Sequence, residues 1–260
     1  MNANPNRHLR RSLVVSLACL GTAWPIRGAC NARSVSSGVK MDIVWSYSSL
    51  KTFEQCPKKY YHLKIAKDVK DVPHEAAIYG GDVHKAAEEH VRDGKPMPKK
   101  YSYMQPILES LKNIPGDKHC ELELGLTEEL RACAFKAPDV WWHGIIDLLI
   151  VDRLKGLAHM VDYKTGKSAR YADTKQLDYM ATAVFAHFPE VNKIKSALLF
   201  VVSNEFVRKE HHAIFKSDYI QPAIVHLNQL KKAKEFDVWN PNSGPLCRFC
   251  PVKKCKHNMS

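Results

Sequence analysis

The stretch WWHGIIDLLIV, Trp141 to Val151, followed at once by GLAHMVDYK, Gly156 to Lys164, decides how this chain folds and where its chemistry lies. Both are short apolar runs bounded by turn residues, and they read as buried strands. A charge in the middle of an apolar strand has to be justified, and Asp147 is such a charge. Asp162 and Lys164 end the second strand two residues apart, so both side chains emerge on one face, where Asp147 from the neighbouring strand can meet them. Two carboxylates converging beside a lysine make a hard-cation site. Mg²⁺ binds through one or two carboxylates plus waters and substrate phosphates, and the lysine can position an attacking water or stabilise charge in the transition state.

Working outward, Glu121, Glu123 and Gly125 alternate with Leu122, Leu124 and Leu126, the period of a strand that would put both glutamates on one face. Upstream, a helix from about Ala76 to Val91 stops at Asp93-Gly94, with Gly80 and His84 on a shared face and space left beside the imidazole. Ahead of it, Ser46 or Ser48 can cap a helix carrying Leu50, Phe53, Cys56 and Tyr60, limited by Pro57. A short helix is expected near Met104 to Leu111. Downstream come a helix from Ala172 to Phe188 with Gln176 and Tyr179 one turn apart, strands over Lys195–Val202 and Val207–Phe215, and a last helix from Tyr219 to Phe236. The order helix, three strands, helix, two strands, helix describes an α/β sandwich. Taken singly, each polar residue has a plain reading: a strand-end salt bridge for either Asp, a satisfied helix-face histidine for His84, a packing ring for Tyr179.

Apolar residues make up 45% and charged residues 25% of the 260, an ordinary globular composition that excludes intrinsic disorder, collagen-like repeats and a polytopic membrane protein. The 39 Lys and Arg against 27 Asp and Glu leave +12, which favours a polyanionic partner. Residues 1–41 contain no acid and carry Arg7, Arg10, Arg11, Arg27, Arg33 and Lys40, with an apolar run from Leu13 to Trp24. That layout fits a targeting segment, or an extension ahead of a start at Met41. The expected organisation is this extension, a main domain over 42–240 and a Cys-rich tail over 241–260. Cys247-x2-Cys250-x4-Cys255 reads as metal ligation in a reducing compartment, which argues for a cytoplasmic protein, or an organellar one if 1–41 is a transit peptide.

Four motifs in this order, Gly80-Gly-Asp-Val-His84, Gly144-Ile-Ile-Asp147, Val161-Asp-Tyr-Lys164-Thr-Gly-Lys167 and Gln176-Leu-Asp-Tyr179, resemble those of the PD-(D/E)XK nuclease superfamily, specifically its RecB-like branch of phage exonucleases and CRISPR adaptation nucleases. The resemblance covers Ser46 to His257. It implies a restriction-endonuclease-like fold, a mixed central sheet flanked by helices around an αβββαβ core with a Cys-rich C-terminal tail. It further implies metal binding by His84, Asp147, Asp162 and the carbonyl of Tyr163, catalysis by Lys164, and positioning of DNA or the site by Gln176 and Tyr179. Glu121 would be an additional acid touching metal-bound water, with a solvated strand edge as the alternative. Asp162 stands where the branch often has glutamate.

Ser48-x-Leu50-x-x-Phe53-x-x-Cys56-Pro57-x-x-Tyr60 is similar to those relatives in which a [4Fe–4S] cluster joins an N-terminal Cys to a C-terminal trio, which implies ligation by Cys56, Cys247, Cys250 and Cys255. The last spacer is short for such a cluster, so Zn²⁺ with His257 as fourth ligand is the alternative. The implied function is a Mg²⁺- or Mn²⁺-dependent DNA nuclease, an exonuclease of recombination, repair or phage DNA processing. A structure-specific or non-specific endonuclease and a non-catalytic DNA-binding module are the alternatives. The lysine runs Lys95–Lys100, Lys231–Lys234 and Lys253–Lys256 fit phosphate contacts or solvated faces. No membrane partner is expected.

Overall fold

The computed structural model describes residues 43–71 and 74–259; the basic segment 1–41 lies outside them. Six strands, β1 Asp117–Leu126, β2 Ala132–Cys133, β3 Trp142–Asp152, β4 Leu157–Lys164, β5 Lys193–Phe200 and β6 Glu205–His212, form one sheet in the order β2-β1-β3-β4-β5-β6. Neighbours are antiparallel except β4 and β5. A parallel pair needs a crossover, which here is a helix over Lys175–His187. The other helices are α1 Tyr47–Gln55, α2 Pro57–Tyr60, α3 Glu75–Asp93, α4 Gln105–Lys112 and, after the crossover helix α5, α6 Gln221–Glu235.

Helices cover both faces of the sheet. On one, Val83 and Ala87 of α3 and Leu108 of α4 pack with Leu148, Ile150, Val161 and Leu199. On the other, Leu50 and Phe53 of α1, Leu177 and Val184 of α5 and Leu227 of α6 pack with Leu149, Met160 and Leu198. Burial on both faces explains why β3 reads as an unbroken apolar run rather than an alternation. Leu148, Leu149 and Ile150 are all inaccessible to solvent, and each contributes about 1.5–3 kcal/mol.

Local chemistry sets the boundaries. Ser46 caps α1 through a reciprocal pair of bonds with Ser49. The single helix expected as far as Tyr60 is divided: Cys56 is extended, its N–H closing α1 on the Thr52 carbonyl and its Sγ accepting from the Lys59 N–H at the start of α2. Pro57, with no N–H to give, sits at the first position of the new helix. α3 ends at Gly94 with φ 69°, the left-handed cap that glycine takes without strain. The two-residue strand β2 has no periodicity to read. β6 stops at His212, and Ala213–Phe215 turn as a 3-10 helix instead of extending the strand.

The sheet is irregular in one row. By the register on either side, Glu121 stands opposite Asp147, because Cys120 pairs with Leu148 and Leu122 with Ile146. Glu121 has φ 49°. Cys120 and Leu148 pack on the α3/α4 side, whereas Leu122 and Ile146, each two residues away, pack on the other. Both strands therefore change face at this row: Glu121 reaches His84 on the α3/α4 side, and Glu123, between Leu122 and Leu124 of the other side, keeps that face with it. β4 pairs with β3 as far as Val161 opposite Leu148; one step further, Asp162 follows in line with Asp147 and the strands part.

Candidate active site

Where β3 and β4 part, the Tyr163 N–H donates to Asp147 Oδ2 at 2.6 Å, replacing a ladder bond with a carboxylate. Asp147 Oδ1 lies 3.3 Å from His84 Nδ1, and Glu121 Oε1 lies 4.0 Å from the same nitrogen. His84 Nε2 sits 3.0 Å from the Tyr163 carbonyl oxygen. His84, Glu121 and Asp147 each offer one ligand atom, all within 4.8 Å of one another. One imidazole nitrogen and two carboxylate oxygens on a helix and two strands suit Mg²⁺ or Mn²⁺.

The titration behaviour fits that donor set. Burial, and then the charge of Asp147, push the Glu121 carboxyl up to about 7. Burial lowers the His84 imidazole, but its bond to Asp147 and the charges of Asp147, Asp162 and Glu121 override this and raise it to about 9. Asp162 is pushed up to about 6 by burial and by Asp147, against the pull of Lys164. Acids crowded this closely hold protons that a divalent cation would displace.

Asp162 stands beside the three-residue group rather than in it. Its Oδ2 is 2.5 Å from Lys164 Nζ, its Oδ1 accepts from Gln176 Nε2 at 2.5 Å, and Lys164 Nζ donates to Gln176 Oε1 at 2.9 Å. This closed triangle fixes the lysine at the end of β4. A Cβ at Gly80 would come 3.6 Å from Thr165 Oγ1, so α3 and the residue after Lys164 approach closely there. Tyr179 lies in the core with its ring edge-on to Trp45 at 5.4 Å, its hydroxyl without a hydrogen-bond partner among the described residues. Tyr47 escaped the sequence reading because it belongs to no motif. Its hydroxyl accepts from Lys51 at 2.8 Å, and burial with the Asp173 bond raises its pKa.

The iron–sulfur expectation is overturned. Among the described residues the convergent group of ligand atoms is His84, Glu121 and Asp147, and the six described cysteines are free thiols. Cys56, Cys247, Cys250 and Cys255 do line one cavity with His257, but its volume is about 20 Å³, room for about one water. The Cys56 sulfur accepts from the N–H of Lys59 and of Asn242, and the Cys247 sulfur from that of Gly244. Neither the cluster nor the zinc alternative has a converged four-ligand site there. The lysine runs are also partly committed: Lys95 pairs with Glu89, Lys100 with Asp82, Lys231 with Glu128 and Lys254 with Asp68, all within 3.4 Å.

A family model described as the PD-(D/E)XK nuclease superfamily matches residues 44–115 and 116–255. No curated protein matches the chain. Among solved structures, an exonuclease candidate of Eubacterium rectale is similar at 14% identity and a TM-score of 0.50, over 81% of this chain and 88% of that one. SSO0001 is similar at 14% identity and a TM-score of 0.42, over 86% of this chain and 90% of that one. At 14% identity the likeness to the exonuclease candidate is one of fold alone.

Proposed function

The chain belongs to the PD-(D/E)XK nuclease superfamily, and from that premise we propose that it is a divalent-metal-dependent deoxyribonuclease of the RecB-like branch, an exonuclease hydrolysing phosphodiester bonds in DNA recombination, repair or phage DNA processing. One observation carries the reading: the His84–Glu121–Asp147 group and the Lys164–Asp162–Gln176 triangle meet at the same parted row of the sheet. His84, Glu121 and Asp147 would hold Mg²⁺ or Mn²⁺, with Asp162 and the Tyr163 carbonyl beside them. When bound, such an ion supplies Lewis-acid polarisation and a lowered pKa for water.

The chain's own groups do the rest. Lys164 carries a fixed positive charge at Nζ, where a phosphodiester oxygen gains negative charge, and a preorganised charge costs no reorganisation at that moment. Gln176 orients that ammonium and holds Asp162 with its other end. In this reading Tyr179 supports the site through packing. The division into a nuclease domain over 42–240 and a C-terminal segment over 241–260 belongs to the same proposal, supported by the Asn242 N–H on Cys56 Sγ at 3.4 Å and the Lys254–Asp68 pair at 2.8 Å. So does a cytoplasmic setting; no helix among the described residues is long and apolar enough to cross a membrane.

End-labelled linear DNA beside a covalently closed circle, each with Mg²⁺ or Mn²⁺, tests the function. The linear molecule should be shortened from its ends and the circle left intact. Nicking of the circle would establish the endonuclease reading instead, and cleavage of neither would remove the enzyme assignment.

A further inference from the structure

The loop between β4 and α5, residues 165–174, is flanked by Lys164 and, one residue into the helix, Gln176, and because those two side chains are bonded to each other, both ends of the loop are held at the site. In its middle, the Ala172 N–H donates to the Ala169 carbonyl at 3.0 Å, a turn with Arg170 and Tyr171 at its two central positions. Ala169 and Ala172 pack against the hydrophobic core. The Ala169 N–H also donates to Glu205 at 3.3 Å, and Asp173 pairs with Lys51 at 3.4 Å. Pinned flanks push the centre outward: Tyr171 is 84% exposed, against 37% for Tyr79 and 43% for Tyr103.

The Arg170 guanidinium lies over the Tyr171 ring, 5.3 Å from its centroid. Among the described residues neither Arg170 nor Lys167, in the same loop, has a carboxylate partner, unlike Lys95, Lys100, Lys231 and Lys254 of the sequence runs. A ring so exposed contributes little to burial, and a solitary exposed apolar residue is ordinary. Here, however, the ring is held by an anchored turn, carries an uncommitted cation, and is tethered at seven residues from Lys164, which limits its reach to about 24 Å. The turn's own hydrogen bond and packed flanks set its backbone before anything binds, which favours contact with a ligand.

Resting on the nuclease reading above, we propose that Arg170 and Tyr171 grip the substrate strand beside the scissile phosphodiester, Tyr171 by stacking on an unpaired base and Arg170 by a phosphate contact, and that the pair thereby selects single-stranded ends. A base inside a duplex has both faces covered by its neighbours, so a projecting ring can cover only a base that has left the stack. Every base offers such a face, so the contact carries no sequence preference. The arginine adds affinity that falls with salt.

Fluorescence anisotropy with a labelled oligothymidylate and with a blunt duplex of equal length, both in EDTA so that nothing is cleaved, tests the proposal. Tyr171→Ala should weaken binding of the single strand by about 5- to 150-fold, the loss of one base–aromatic stack, and leave the duplex unchanged. Tyr171→Phe keeps the ring and should bind as the wild type does. Arg170→Gln should reduce the slope of log affinity against log salt by about 0.7 on the single strand. Equal losses on both substrates from Tyr171→Ala, or a Phe variant as weak as the Ala variant, would overturn the proposal. Cleavage is scored separately: a wild type that cuts DNA while Tyr171→Ala binds single strands unchanged removes this contact alone. A wild type that cuts nothing with Mg²⁺ or Mn²⁺, yet shows the Tyr171-dependent preference, removes the nuclease reading and leaves the contact standing.

Discussion

Replacing Asp147 by Asn separates the electrostatics of the site from its architecture. The amide keeps the shape of the carboxylate and an oxygen that can accept the Tyr163 N–H, but it removes the negative charge 3.3 Å from His84 Nδ1. In the wild type, burial lowers His84 and the bond and charge of Asp147, seconded by Asp162 and Glu121, raise it to about 9. Against the ordinary 6.5, that is about 300-fold in proton affinity, or about 3 kcal/mol. Asp147 supplies the largest part of the rise, so in Asp147→Asn burial should bring His84 back to its ordinary value or below. Proton NMR of the imidazole in metal-free protein, titrated in EDTA, reads this directly. A variant whose His84 still titrates near 9, or a wild type whose His84 titrates near 6.5, would refute the geometry described for this group. The linkage has a definite sign. His84 has a folded pKa above its unfolded one, so its stabilisation of the metal-free protein is complete below pH 6.5 and is lost as pH rises through about 9. Glu121, an acid held at about 7 instead of 4.5, also lowers stability as pH rises, between those two values. The stability advantage of the metal-free wild type over Asp147→Asn should therefore shrink from pH 5 to pH 9 in urea titrations.

Binding of Mn²⁺ should release protons from His84 and Glu121, more of them at pH 6.5 than at pH 8, where Glu121 is already ionised; calorimetry in two buffers of different ionisation enthalpy counts them, and binding without release would contradict the ligand set. Lys164→Ala, Asp162→Ala and Asp147→Ala should each abolish cleavage while circular dichroism and DNA binding persist, and wild-type turnover by any of them would displace the site. Gln176→Ala frees both Lys164 and Asp162, and should reduce kcat with the thermal midpoint nearly unchanged. Asp178→Ala tests the fold instead: it leaves buried His211, 2.8 Å away, and Lys209, 2.7 Å away, without their carboxylate, a loss of about 3–5 kcal/mol in urea unfolding. Although burial raises the Asp178 carboxyl, its bonds to His211 and Lys209 bring it below the usual range, so its stabilisation is present above pH 3.8 and fades as pH falls through the lowered value.

The sequence by itself determined the elements and most of the chemistry that lies along one strand or one helix. The unbroken apolar run of β3 announces a strand covered on both faces, Asp93-Gly94 ends α3, and Asp162 and Lys164 share a side of β4 because two residues of regular strand always do. Tertiary structure alone decided what depends on irregularity and on contacts between distant segments. Alternation assigns Glu121 and Glu123 to one face without saying which; the left-handed backbone of Glu121 turns the strand over at that residue, and this brings its carboxylate to His84. Asp162 is claimed by Lys164 and Gln176, an arrangement set by where the crossover helix begins. Tyr179 shares the helix of Gln176 yet belongs to the core, since the apolar ring follows the buried stripe of α5. The spacing of Cys247, Cys250 and Cys255 describes nearness along the chain, but a metal site needs sulfurs aimed at one point, and two of the four thiols are instead turned to backbone N–H groups. Periodicity reports faces only while the backbone stays regular, and the convergence of side chains on a point is a property of packing between segments that the linear order leaves open.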